Sequence, residues 1–100
     1  MGERVSEAQA FALSLAAQGD LIRHDGGFWA LRDEPLEVRS DGQPVPERYV
    51  ASGTIYALDR KRMLQELGPG ATHPWSGPRR ITALGRKALA DHPPHSTKRG

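Results

Sequence analysis

One hundred residues, 37% of them hydrophobic, bound the protein to one domain with a modest core. Fourteen Lys and Arg against twelve Asp and Glu leave a formal charge of only +2, which permits a nucleic-acid partner without demanding one. The absence of cysteine excludes disulfides, thiolate metal sites and Cys nucleophiles, and no apolar run approaches the about 20 residues that cross a bilayer.

Residues 1–5 read as a flexible lead without the apolar stretch of a signal peptide, so a reducing, cytoplasmic setting is expected. Ser6 followed by Glu7 reads as a helix N-cap with an acid in the first turn, and Ala8, Phe11, Ala12 and Leu15 recur at helical spacing. A first helix over residues 6–18, ended by Gly19, follows. Leu21 to His24 and Phe28 to Leu31 are short strand-like runs around Asp25-Gly26-Gly27, a turn sequence that favours a hairpin. Phe28 and Trp29 then point to opposite faces, one into the core and one outward.

Between Arg32 and Val50 the residues Pro35, Pro44 and Pro46 exclude a long helix. A short strand over residues 36–39, a turn at Asp41-Gly42, an extended Pro44-Val45-Pro46 segment and one helical turn over residues 46–50 are expected, with Asp33-Glu34 in a loop without a matching partner. The next helix is the strongest segment. Ser52 or Thr54 can cap it, and Ile55, Leu58 and the aliphatic stem of Arg62 share its buried face. The other side presents Gly53, Tyr56, Ala57 and Arg60, flanked by Thr54 and Lys61. Gln65-Glu66-Leu67 reads as a strand, followed by a Gly/Pro-rich loop through Gly68-Pro69-Gly70 and residues 74–78, with Arg79 and Arg80 at its return. Thr82 caps a closing helix over residues 83–91, with Leu84 and Ala88 on one face and Leu89 beside them. Pro93-Pro94 stop it, and residues 92–100 read as a flexible tail.

Thr54-Ile55-Tyr56-Ala57-Leu58, Met63-Leu64 and the run from Ile81 to Leu89 (Ile-Thr-Ala-Leu-Gly-Arg-Lys-Ala-Leu) resemble the winged helix-turn-helix superfamily of small bacterial DNA-binding regulators. Met63 stands where that family usually has Gly, and the Pro-rich segment replaces its second helix. The resemblance implies an α+β fold of about three helices and two short β-hairpins over residues 6–91. It also implies a transcriptional regulator that binds double-stranded DNA, commonly as a dimer. The element order also resembles, more distantly, the YjhX-type small bacterial proteins, described as toxins that inhibit a topoisomerase.

The chemistry of the residues agrees with a DNA partner. Short or polar Ser52 and Thr54 let a helix approach a groove, Tyr56 and Arg60 reach base edges or phosphates, and Lys61 adds a phosphate contact. Arg79 and Arg80 would hold flanking backbone. A homodimer is expected through the Ala-rich first helix or the last one. The alternative is an adaptor or inhibitor that binds a protein partner through the hairpin carrying Phe28 and Trp29 or through the irregular segment from Leu36 to Val50. No catalytic residue, cofactor or metal is assigned: the histidines are scattered, His92 and His95 enclose two prolines, and neither a nucleophile elbow nor a phosphate loop is present.

Overall fold

The computed structural model describes residues 4–68 and 77–94. The first helix, α1 (Glu7–Ala16), starts as its sequence dictates: Ser6 Oγ accepts from the Gln9 N–H and the Gln9 side chain accepts from the Ser6 N–H, both at 3.1 Å. This reciprocal capping box satisfies two otherwise orphaned donors and contributes about 1 kcal/mol. The helix stops at Ala16, earlier than the Gly19 end expected, because the chain turns through Ala17 and Gln18 into the sheet. Ala10, Ala12 and Ala16 are buried beside Phe11, Leu13 and Leu15, so its small residues are spent on packing within the domain.

Strands β1 (Leu21–His24) and β2 (Phe28–Leu31) form the expected hairpin, with Leu21 opposite Leu31 and His24 opposite Phe28. Gly26 and Gly27 both take positive φ, 87° and 83°, which side-chain-bearing residues rarely adopt. Trp29 is the inward residue and is wholly buried, whereas Phe28 is half-buried with its ring edge on Tyr49, centroids 4.7 Å apart.

The Pro-rich segment folds as a second hairpin, β3 (Leu36–Val38) against β4 (Pro44–Pro46), turned at Asp41-Gly42 where Gly42 has φ 85°. The helical turn expected over residues 46–50 does not form. Val50 and Ala51 instead make strand β5 (Val50–Ala51), pairing with Trp29 and Phe28. Nor is Glu34 without a partner. Its carboxylate, only 2% exposed, is gripped by Arg48 through Nε at 3.1 and 3.0 Å and Nη2 at 2.9 Å. This fork ties the two ends of the hairpin together, and it raises the Arg48 pKa above its ordinary value.

Helix α2 (Ser52–Arg60) buries Ile55 and Leu58. Its N-cap is Ala51, with no side-chain cap, in place of the Ser52 or Thr54 expected. The Ser52 hydroxyl is engaged elsewhere, accepting from Trp29 Nε1 at 3.0 Å and donating to the Gly27 carbonyl. The Arg62 stem is not part of the buried face either. The helix closes at Lys61, and exposed Arg62 takes φ 62° while Met63 N–H reaches back to Leu58 and Arg62 N–H to Asp59. This is a Schellman closure, which usually places Gly at the left-handed position.

Strands β6 (Leu64–Glu66) and β7 (Arg79–Ile81) pair antiparallel, with Gln65 opposite Arg80, and complete a five-stranded sheet in the order β5-β2-β1-β7-β6. The loop expected between them, including Trp75, lies largely outside the described residues. Helix α3 (Ala83–Asp91) begins at Thr82, whose Oγ1 accepts from the Gly85 N–H and donates to the Arg62 carbonyl at 2.7 Å. Its inward face is Gly85 and Ala88 with Leu89, while Leu84 is exposed, contrary to the face expected. A Cβ on Gly85 would overlap the Met63 carbonyl oxygen and come within 2.8 Å of Ile81 Cγ1. α1 packs against α2 and α3, and Leu13, Leu15, Leu21, Trp29, Ile55, Leu58 and Met63 make the core between these helices and the sheet. The protein is therefore α+β, with three helices and antiparallel strands among the described residues.

Candidate nucleic-acid interface

The candidate surface is built on α2, whose inward side is fixed by Ile55 and Leu58. At about 100° per residue that leaves Gly53, Ala57 and Arg60 as an outward stripe. Gly53 and Arg60 are exposed, Ala57 is half-buried, and a Cβ added at Gly53 would meet nothing within 4 Å. Packing therefore gives no reason for glycine there. Arg60 makes no ion pair among the described residues, so its guanidinium is available to an external anion.

The other residues expected at the interface divide sharply. Thr54 is half-buried beside the stripe. Tyr56 is half-buried with its ring set edge-on to Trp29, centroids 6.4 Å apart. Lys61 Nζ is anchored on the Arg4 carbonyl at 2.6 Å and Gln9 Oε1 at 3.0 Å, which pins the C-terminal end of α2 to the start of α1. Ser52 is occupied by Trp29, as described above.

Arg79 is a structural residue. Its side chain is 3% exposed, its guanidinium meets Asp59 at 3.0 Å and Glu66 at 3.6 Å, and it lies 5.1 Å from the centre of the Trp29 ring. Nη1 also donates to the Gly77 carbonyl. It cannot reach a phosphate without breaking these contacts; it holds β7 against α2 instead. Arg80 points the other way and is 59% exposed, paired with Asp20 at 3.0 Å. That bond lowers the Asp20 pKa from its ordinary value and raises that of Arg80. Such an exposed pair can exchange its carboxylate for a phosphate at little cost.

Of the pair expected in the protein-binding alternative, Phe28 reaches the surface while Trp29, wholly buried, cannot touch a partner; in the segment expected as the other such interface, Leu36, Val38 and Tyr49 are exposed. Asp20, Asp59 and Glu66, which claim the arginines of β7, went unseen in the sequence. No local signal marks them, since Asp20 and Arg80 lie 60 residues apart. Among the described residues no group of three His, Asp or Glu converges on a point, and no helix is long and apolar enough to cross a membrane. No protein-family model, curated protein or solved structure matches the chain.

Proposed function

We propose that the domain binds double-stranded DNA in the manner of a winged helix, as a small transcriptional or architectural protein. In this reading the outward stripe of α2 enters a major groove, and the β6–β7 hairpin serves as the wing. The observation that carries it is Gly53. Gly53 is the second residue of α2, and glycine there is a poorer helix former than alanine, though by less than the about 1 kcal/mol of a helix interior. Open space around Gly53 removes a packing reason for it. A slim helix start followed one and two turns later by Ala57 and Arg60, which has no ion pair among the described residues, suits close approach to a groove with a cation at its edge.

The contacting set in this reading is Gly53, Thr54, Ala57 and Arg60 from α2 and Arg80 from the wing, while Lys61, held by the Arg4 carbonyl and Gln9, fixes the end of α2 to α1. Ser52 and Arg79 act as positioning residues, because they fix α2 to β2 and to β7. The fold departs from a helix-turn-helix directly ahead of α2, where β5 stands in place of a partner helix. α2 is therefore buttressed by strands and by α1.

The test is Gly53→Glu. A Cβ there meets nothing within 4 Å, and a glutamate raises helix propensity and complements the positive end of the helix dipole, so the variant should be as stable as the parent or more so. Facing phosphate, it should weaken binding to random-sequence duplex at least about tenfold at ~50 mM salt. Equal binding by parent and variant, or no binding by a folded parent at ~50 mM salt, would overturn the proposal.

A further inference from the structure

The second hairpin has one protected and one open edge. Arg39 N–H bonds to the Gln43 carbonyl and Glu47 N–H to the Pro35 carbonyl, which fixes the alternation of the ladder. By that alternation Glu37 turns its backbone groups toward β4, while Leu36 and Val38 turn theirs away. On β4 the outward positions are Pro44 and Pro46, which have no N–H to offer, so that edge cannot take another strand. The β3 edge has no such guard. Its outward N–H and C=O groups meet no described residue, and Val38 and Leu36 are 75% and 54% exposed.

Charge decides what fits there. Glu37 and Arg39 stand on one face of the strand, both exposed, and neither side chain makes an ion pair among the described residues. Let a second copy of this strand pair antiparallel across a two-fold axis. The outward groups can meet only if even-numbered residues face even-numbered residues. With Val38 opposite the partner's Val38, Glu37 falls opposite the partner's Arg39 and Arg39 opposite the partner's Glu37, giving two reciprocal ion pairs. These occupy the closer, non-hydrogen-bonded positions of the ladder. The neighbouring register on one side sets Glu37 against the partner's Glu37, and on the other side Arg39 against the partner's Arg39. Each is penalised by like charge. Of these three registers only the one about Val38 is charge-complementary, and it places the two exposed valines together on the opposite face.

We infer that β3 is a self-association edge: two copies of the chain join by antiparallel pairing of Leu36, Glu37, Val38 and Arg39 about Val38, giving a four-stranded sheet β4-β3-β3-β4. The contact is isologous and small, so the dimer is concentration-dependent. It is independent of the DNA reading and uses neither α1 nor α3.

Sedimentation of the full chain from micromolar to about 1 mM tests it, with Glu37→Arg and Arg39→Glu run separately and mixed. Each single variant sets like charges against each other across the axis and should dissociate roughly tenfold or more readily than the parent. An equimolar mixture restores both opposite-charge pairs and should associate again. The Val38 amide of the parent should exchange more slowly with solvent as concentration rises. A parent that stays monomeric to about 1 mM would overturn the inference. So would a dimer indifferent to both charge reversals, which would point to another surface, or two variants whose mixture gains nothing over either alone.

Discussion

Replacing Arg79 with alanine should destabilise the domain by about 3 kcal/mol. A buried ion pair that loses one member commonly costs about 3–5 kcal/mol, because the remaining charge is left without a partner. Here Asp59 and Glu66 are 28% and 36% exposed, so water can reach them once the guanidinium is gone. That moderates the penalty toward the cost of lost charge-assisted hydrogen bonds, about 1.5–3 kcal/mol. The contact of the guanidinium with the Trp29 ring, at 5.1 Å, adds about 1 kcal/mol in a desolvated setting. For a domain of this size each kcal/mol moves Tm by about 4–8 °C, so thermal unfolding should shift down by about 12–24 °C. Arg79→Lys, which keeps the charge and loses the fork to Asp59, should fall between parent and alanine variant. A shift below about 3 °C for Arg79→Ala would refute the structural role and return this arginine to the set available for phosphate. The same figures bear on function, since any loss of DNA binding by an Arg79 variant must first be separated from loss of fold.

Other substitutions follow from the backbone and from the surface pair. Gly85→Ala should cost about 2 kcal/mol in a urea melt, because the overlap with the Met63 carbonyl and Ile81 exceeds the about 1 kcal/mol that alanine returns as a helix former. Arg62→Gly should stabilise the domain by about 0.5–1 kcal/mol by relieving the left-handed backbone at φ 62°; an unchanged or lower midpoint would contradict the assignment of the Schellman closure. Asp20 has its pKa lowered by Arg80 from the ordinary 3.8, so the pair stabilises the fold above that value and its contribution is lost as pH falls through the lower folded value. The stability gap between parent and Asp20→Asn should therefore be small at pH 7, as befits an exposed pair, and should close as pH falls through the lowered folded value. A gap that widens in acid would reverse the sign of the linkage.

What the sequence disclosed was local. The Ser6 cap, the two-glycine turn at Gly26-Gly27, the Asp41-Gly42 turn and the Thr82 cap all act within a few residues, and each could be read from spacing and residue type. The errors came where a distant partner outbid the local preference. Residues 46–50 could have closed a helical turn, yet pairing of Val50 with Trp29 and the grip of Arg48 on Glu34 hold them out of a helix. Ser52 had the side chain of a helix cap, but an indole N–H 23 residues away took its oxygen. The candidate interface divided along the same line. Gly53, Ala57 and Arg60 stand where the helical period places them, whereas Arg79 was drawn into the fold by carboxylates that no spacing rule connects to it.

The outward stripe of α2 is the central claim, and amide shifts followed during addition of a short duplex at ~50 mM salt test it most directly. The account predicts that Gly53, Thr54, Ala57 and Arg60 shift together, that Arg80 joins them, and that the perturbation fades as salt is raised. Duplex that leaves α2 unperturbed, or that moves only residues remote from it, would contradict the account.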